Sequence, residues 1–105
     1  MSNFHDVFRQ STSQNVNYAV AGGASAQSSA FGGQTRYIRV SSVGVVGASV
    51  DGIRVAVGDN PTASSTSTLI PLNWIEYFKV SPGQKIAVLG NNASTGTISV
   101  TELTD

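Results

Sequence analysis

The chain is 105 residues long, carries six basic and six acidic side chains and therefore no net charge, and only 11% of its residues are charged. This length fits a single domain, and the absence of cysteine excludes disulfide scaffolds, thiol chemistry and cysteine-ligated zinc. Six scattered basic residues do not make the basic patch of a nucleic-acid binder, and no apolar run approaches the roughly 18 residues of a membrane span.

The first 13 residues show no periodicity, and we expect an extended N-terminal arm over 1–13 followed by a β-sandwich domain over 14–105. The alternative for the arm is a short first strand of the sandwich. Its start lacks the basic and apolar regions of a secretory signal, which predicts synthesis in a cytoplasm. Clustered exposed apolar groups tend to mark contacts, and the arm therefore supplies four candidate interface residues. These are Phe4, Val7, Phe8 and Arg9.

Short strands separated by turn residues are predicted for the rest of the chain, and no window keeps a helical apolar period. Alternation predicts strands at 16–20, 35–41, 53–57, 76–80, 85–89 and 97–103, with weaker signals at 27–31 and 69–70. About eight short strands predict an all-β fold, namely a single small, jelly-roll-like sandwich of antiparallel strands. The predicted core consists of Ile38, Val40, Ile53, Val55, Val57, Leu69, Phe78, Val80, Ile86, Val88, Ile98 and Val100.

The segment 42–50 is apolar but contains two glycines, and it suits either a bulged strand or an apolar loop. Its valines are too numerous for a free loop, and its glycines make it too flexible for a central strand. We therefore expect the segment to face a neighbouring protein. The candidate interface residues here are Val43, Val45, Val46 and Val50.

Two turns have a clear chemical signature. Asp51-Gly52 is a favourable turn dipeptide ahead of the strand at 53–57. Residues 81–84 read Ser-Pro-Gly-Gln, with proline at the second and glycine at the third position of a type II turn.

A search for catalytic chemistry finds little. The single histidine, His5, lies in the arm, and its neighbour Asp6 would point the opposite way in an extended chain, so a catalytic triad is not expected. Asp59 lies in a short Gly-Asp-Asn stretch that lacks the other oxygen ligands of a calcium loop. The glycosylation pattern at 92–94 has no secretion signal beside it. We predict a protein that is not an enzyme, with no catalytic residues, no metal site and no cofactor.

Three aromatic residues lie close together in sequence, and three roles remain open for them. Trp74, Tyr77 and Phe78 could pack in the core, form a protein interface or stack on a sugar. Alternation places Phe78 on the inward face and Tyr77 on the other face.

From Thr35 onward, over about two thirds of the chain, the sequence resembles small all-β virion structural proteins of tailed bacteriophages, of the capsid decoration or cement type. The recurring parts are a strand ending in A-x-G at 56–58, Pro-Thr-Ala at 61–63, a Ser/Thr run, a Leu-rich edge ending in Pro71, E-Y-F-x-V at 76–80, P-G-Q-K at 82–85 and T-x-S-V-T-E at 97–102. The segment 42–50 and the arm depart from this pattern.

This resemblance implies a non-enzymatic protein, made in the host cytoplasm and located on the capsid surface of the virion. Its expected partner is the major capsid protein, with self-association, for which a homotrimer is one form, and with neither nucleic acid nor membrane as a partner. The alternative is a minor tail, fibre or head-fibre protein that binds a receptor or glycan, with Trp74 or Tyr77 as the stacking residue.

Overall fold

The structure is a computed structural model, which describes residues 9–19, 22–42, 52–71, 73–91 and 95–104. All regular secondary structure in these ranges is β-strand. The strands are β1 (Arg9–Tyr18), β2 (Ala26–Gln27), β3 (Tyr37–Ser42), β4 (Ile53–Gly58), β5 (Thr68–Ile70), β6 (Trp74–Lys79), β7 (Lys85–Gly90) and β8 (Gly96–Thr104). The prediction of an all-β chain with about eight strands is confirmed.

The strands form two four-stranded antiparallel sheets that pack face to face. Sheet A has the order β1-β8-β3-β6, and sheet B has the order β2-β7-β4-β5. Consecutive strands therefore tend to cross from one sheet to the other, and the two orders are those of a jelly roll. The expected small β-sandwich of jelly-roll type is confirmed.

The core lies between the sheets and is built from alternating residues of the long strands. Nine of the predicted core residues are buried, and Val57 and Phe78 are partly buried against them. The buried nine are Ile38, Val40, Ile53, Val55, Val80, Ile86, Val88, Ile98 and Val100. The core also contains Val16, Tyr18, Phe31 and Ile70, which were not among the predicted core residues.

The prediction that Leu69 belongs to the core is wrong. Leu69 pairs with Arg54, whereas its neighbour Ile70 pairs with the buried Ile53. Because successive side chains of a strand point to opposite faces, only one residue of the Leu-Ile doublet can enter the core. The register chooses Ile70 and leaves Leu69 on the outer face of sheet B.

Part of the outer face of sheet B is covered by the chain's own β4–β5 connection. Ala63 from this connection packs on Ala87 and Leu89 of β7 in a small satellite cluster. Four hydrogen bonds join the connection to the rest of the domain. They run from the Ala63 amide to Ser25 Oγ, from Gln27 Nε2 to both Asn60 Oδ1 and the Pro61 carbonyl, and from Arg54 Nη1 to the Ser67 carbonyl.

Positive φ angles occur at four of the described glycines, and at Gly83 and Gly52 they have a clear structural role. Gly83 has a φ of 83°, and the Gln84 amide donates to the Ser81 carbonyl at 3.1 Å, which is the predicted turn closing residues 81–84. Gly52 has a φ of 90°, and a Cβ at this position would lie 2.2 Å from the Ile70 carbonyl oxygen. Only glycine permits this approach between the start of β4 and the end of β5.

Candidate functional site

One candidate interaction surface is the edge of sheet A formed by β6, the last strand in the order of the described strands, here called the β6 edge (Trp74–Lys79). β6 pairs with β3 without a register shift, from Tyr37↔Lys79 to Ser42↔Trp74. The Val80 amide donates to the Arg36 carbonyl at 2.8 Å. Hydrogen-bonded and non-hydrogen-bonded pairs alternate in an antiparallel ladder, so the backbone N–H and C=O groups of Ile75 and Lys79 point away from β3.

Large apolar side chains are exposed where β5 leads into β6. Leu69 is 44% exposed, Trp74 is 52% exposed and Ile75 is 44% exposed, and we call these three residues the apolar corner. They flank the connection and do not form one continuous patch, because Leu69 lies on the outer face of sheet B and Ile75 lies on the outer face of sheet A. The connection is turned sharply by Asn73, whose φ of 59° is tolerated better by asparagine than by most residues. The apolar corner therefore sits at the beginning of the β6 edge.

The three sequence-adjacent aromatics have separate environments. Phe78 packs against the core and Tyr77 is half-buried on the opposite face, as alternation predicts. Trp74 is more than half exposed and so does not pack into the core. Sequence analysis did not single out Leu69 or Ile75 as exposed, because each has an apolar neighbour and a doublet does not tell which member faces outward.

The opposite edge of sheet A, formed by β1, has a different character. Its pairing with β8 shifts register between Gln10 and Ser13, which marks a β-bulge or irregularity. The Gln14 side chain reaches towards the other sheet, where it accepts from the Ser29 amide at 2.8 Å and donates to the Ser29 carbonyl at 3.3 Å. The β1 edge is thus polar, irregular and fastened to the rest of the domain.

A buried carboxylate also helps to hold β1 against the rest of the domain. Glu102 of β8 is 7% exposed, and its Oε1 accepts from the Gly32 amide at 2.9 Å and from Thr35 Oγ1 at 2.5 Å. Its Oε2 accepts from Thr12 Oγ1 of β1 at 3.1 Å. With three donors from two segments, Glu102 joins β1, β8 and the β2–β3 connection at one end of the sandwich.

A polar cleft opens beside the start of β1. It has a volume of about 560 Å³ and is lined by Arg9, Gln10, Ser11, Gln34, Arg36 and Thr104. Arg9 is the one predicted interface residue that the structure describes, and its side chain is exposed. Arg36 was not singled out from the sequence, because the register that brings it near Arg9 joins residues far apart in the chain.

The remaining predicted interface residues lie outside the described residues. They are Phe4, Val7, Phe8, Val43, Val45, Val46 and Val50. His5 and the glycosylation pattern at 92–94 also lie outside the described residues. For residues 9–13, which the sequence left between an arm and a first strand, the structure shows the beginning of β1.

Within the described ranges, no group of three or more histidine, cysteine or acidic side chains could hold a metal ion. Asp59 is exposed in the connection that follows β4. The described residues include no helix long and apolar enough to cross a membrane.

Comparison with known proteins finds no match: no family model, no curated protein and no solved structure corresponds to this chain.

Proposed function

We propose that this protein is a non-enzymatic structural protein of a bacteriophage virion that binds the outer capsid surface and stabilises the shell. The observation that carries the proposal is the apolar corner of Leu69, Trp74 and Ile75 at the start of a regular, accessible strand edge. The resemblance of the sequence to decoration proteins supports the choice of partner. Jelly rolls also occur among viral capsid domains, which is support by analogy of fold alone.

The β6 edge offers two kinds of contact to a major capsid protein. Its outward backbone groups can pair with an extended segment of the partner, which adds a strand to sheet A. Trp74 and Ile75 of the apolar corner then lose their remaining exposure to water. Since about half of each side chain is already buried, each contributes roughly half of the 1.5–3 kcal/mol for complete burial of a large apolar side chain. Backbone pairing supplies orientation, and the apolar corner supplies most of the affinity.

Stabilisation of the shell follows from mass action. A protein that binds the assembled shell and not its separated subunits shifts the equilibrium towards the shell. Repetition over a symmetric lattice turns modest contacts into avidity, and a homotrimer would present three β6 edges at a three-fold position. Since apolar and backbone contacts dominate, attachment should depend little on ionic strength.

The test is reconstitution of particles that lack the protein. Trp74→Ser and Ile75→Asp should each weaken attachment by at least about tenfold, because they remove or charge the apolar corner. Asn15→Asp places the same negative charge on an exposed position of the β1 edge and serves as the matched control, with attachment unchanged. Particles loaded with the parent protein should rupture at a higher temperature than bare particles, in proportion to occupancy. Attachment unaffected by either β6 variant would contradict the proposed contact surface.

The exposure of Trp74 also favours a second candidate function, glycan or receptor binding by a minor tail or fibre protein. An exposed indole can stack on a sugar ring, and it is 52% exposed here. The same particles distinguish the two functions. Equal rupture temperatures with and without the protein, combined with loss of host adsorption when it is missing, would replace the capsid-binding function with this one.

A further inference from the structure

The cleft lined by Arg9 and Arg36 is a second surface feature, and it shares no residue with the β6 edge. Arg9 pairs with Thr104 across β1 and β8. On the other side of β8, Tyr37 pairs with Leu103, and the Arg36 amide donates to the Leu103 carbonyl at 3.1 Å. Strands in a sheet are about 4.8 Å apart, so the two arginine backbones lie roughly 10 Å apart with the end of β8 between them.

Arg9 and Arg36 both line the cleft, one from each side of β8. Two like charges that face one space repel each other, and an anion between them would remove that repulsion. Among the described residues, no acidic side chain lines the cleft. The nearby Glu102 is buried, with its oxygens engaged by Gly32, Thr35 and Thr12.

We propose that this cleft binds the oxyanion group of a hydrophilic, sugar-sized ligand. A guanidinium presents a planar fork of donors that matches phosphate, sulfate and carboxylate oxygens, and two forks facing one space would hold such a group between them. The volume of about 560 Å³ lies within the usual range for small-molecule sites and exceeds what a bare oxyanion needs.

The rest of the lining is polar and suits the remainder of such a ligand. Gln10 and Gln34 offer amide donors and acceptors, and Ser11 and Thr104 offer hydroxyl groups. This lining favours a hydroxylated ligand over an apolar one. The arginines are exposed, and exposed charge pairs contribute little each, so we expect dissociation constants on the order of 1 mM. The inference does not depend on the proposed capsid function, because the cleft and the β6 edge use different residues.

The test is an NMR titration of the isotopically labelled protein with glucose 6-phosphate and with glucuronate, using neutral glucose as the matched ligand. Both anionic sugars should cause saturable shifts at the amides of Gln10, Ser11, Gln34 and Thr104, and glucose should not. Arg9→Gln and Arg36→Gln should each weaken binding by at least about fivefold, and the double variant should abolish it. Arg36→Lys should give an intermediate affinity, because it retains the charge without the fork. Lys85→Gln removes one positive charge elsewhere and should change nothing.

Several results would overturn the proposal. Saturable shifts that persist in the double arginine variant would show that the anion binds elsewhere. Equal affinity for inorganic phosphate and glucose 6-phosphate would rule out a sugar-sized ligand, and tighter binding of a glutamate-rich peptide would assign the cleft to a protein partner. Asp105 follows Thr104 and lies outside the described residues, so Asp105→Asn is a further control. A gain of about tenfold in affinity on that change would mean that the chain's own carboxylate competes for the arginines.

Discussion

The two edges of sheet A belong to one four-stranded sheet and differ in almost every respect. β1 is polar, its pairing shifts register between Gln10 and Ser13, and the Gln14 side chain ties it to the Ser29 backbone. β6 pairs regularly and begins with the exposed Trp74 and Ile75. Natural proteins protect sheet edges with bulges, polar residues and covering contacts. Within the part of the chain that the structure describes, β1 has these protective features and β6 lacks the register shift and the polar start.

The largest effect should come from the glycine that sets the geometry next to the apolar corner. Gly52→Ala forces a side chain into a positive φ and within 2.2 Å of the Ile70 carbonyl, so β4 and β5 must move apart. We expect a loss of about 3–5 kcal/mol in the free energy of unfolding. Urea denaturation measures it.

Gly83→Ala is the matched control, because its φ is also positive while the space around a Cβ is open. This change should cost only about 1–2 kcal/mol, the cost of the backbone conformation alone. Equal losses of stability for the two variants would mean that the close approach of residue 52 to the Ile70 carbonyl adds nothing to the cost of the positive φ.

The second prediction compares two glutamates of sheet A, the buried Glu102 on β8 and the exposed Glu76 on β6. Glu102→Gln replaces one acceptor oxygen by an amide nitrogen that only donates, so the bond from Thr12 Oγ1 must reverse or break, and the bonds from Gly32 and Thr35 lose the help of the negative charge. We expect a loss of about 1–3 kcal/mol on unfolding and faster hydrogen exchange in β1.

Glu76→Gln on the exposed β6 is the control, and its stability should change by less than about 0.5 kcal/mol. If the two variants lose the same stability, or if exchange in β1 stays slow without the Glu102 carboxylate, then the β1 edge is not held by this residue.

The smallest expected change in the free energy of unfolding is at Tyr18, the last residue of β1. Its side chain is 5% exposed, and its hydroxyl has no hydrogen-bond partner among the described residues. Burial raises the pKa of the Tyr18 phenol above its ordinary value of 10.0. The unfolded chain therefore ionises first, and this contribution to stability is full below pH 10.0 and is lost as the pH rises through the folded pKa.

Tyr18→Phe should stabilise the protein at neutral pH by up to about 1 kcal/mol, because it removes a buried hydroxyl without a partner. It should also remove part of the stability loss above pH 10.0, as measured by urea midpoints. Tyr77→Phe on the half-buried face of β6 should retain that loss. An unchanged alkaline profile in the Tyr18 variant would show that the phenol ionises without opening the end of β1.

Most of the sandwich could be predicted from local pattern, while the two candidate sites could not. Period-two alternation identified Ile38, Val40, Val55 and Val88 as core residues, because a strand must place alternate side chains on one face. The apolar corner was hidden by doublets such as Leu69-Ile70, in which hydrophobicity alone does not say which residue faces water. The cleft was hidden for another reason, since Arg9 and Arg36 meet only through pairing with β8, near the other end of the chain.

Residues close together in the chain are enough to predict the all-β class, the number of strands, the turn at 81–84 and the inward faces of the long strands. The positions of the strands within the sheets depend instead on pairing between residues far apart in the chain. Such pairing places β8 between β1 and β3 and leaves β6 at the end of the order of described strands in sheet A. The position of β6 at the edge and the meeting of Arg9 and Arg36 in one cleft both result from this long-range pairing. No local pattern in the sequence tells which strand lies at the edge of a sheet.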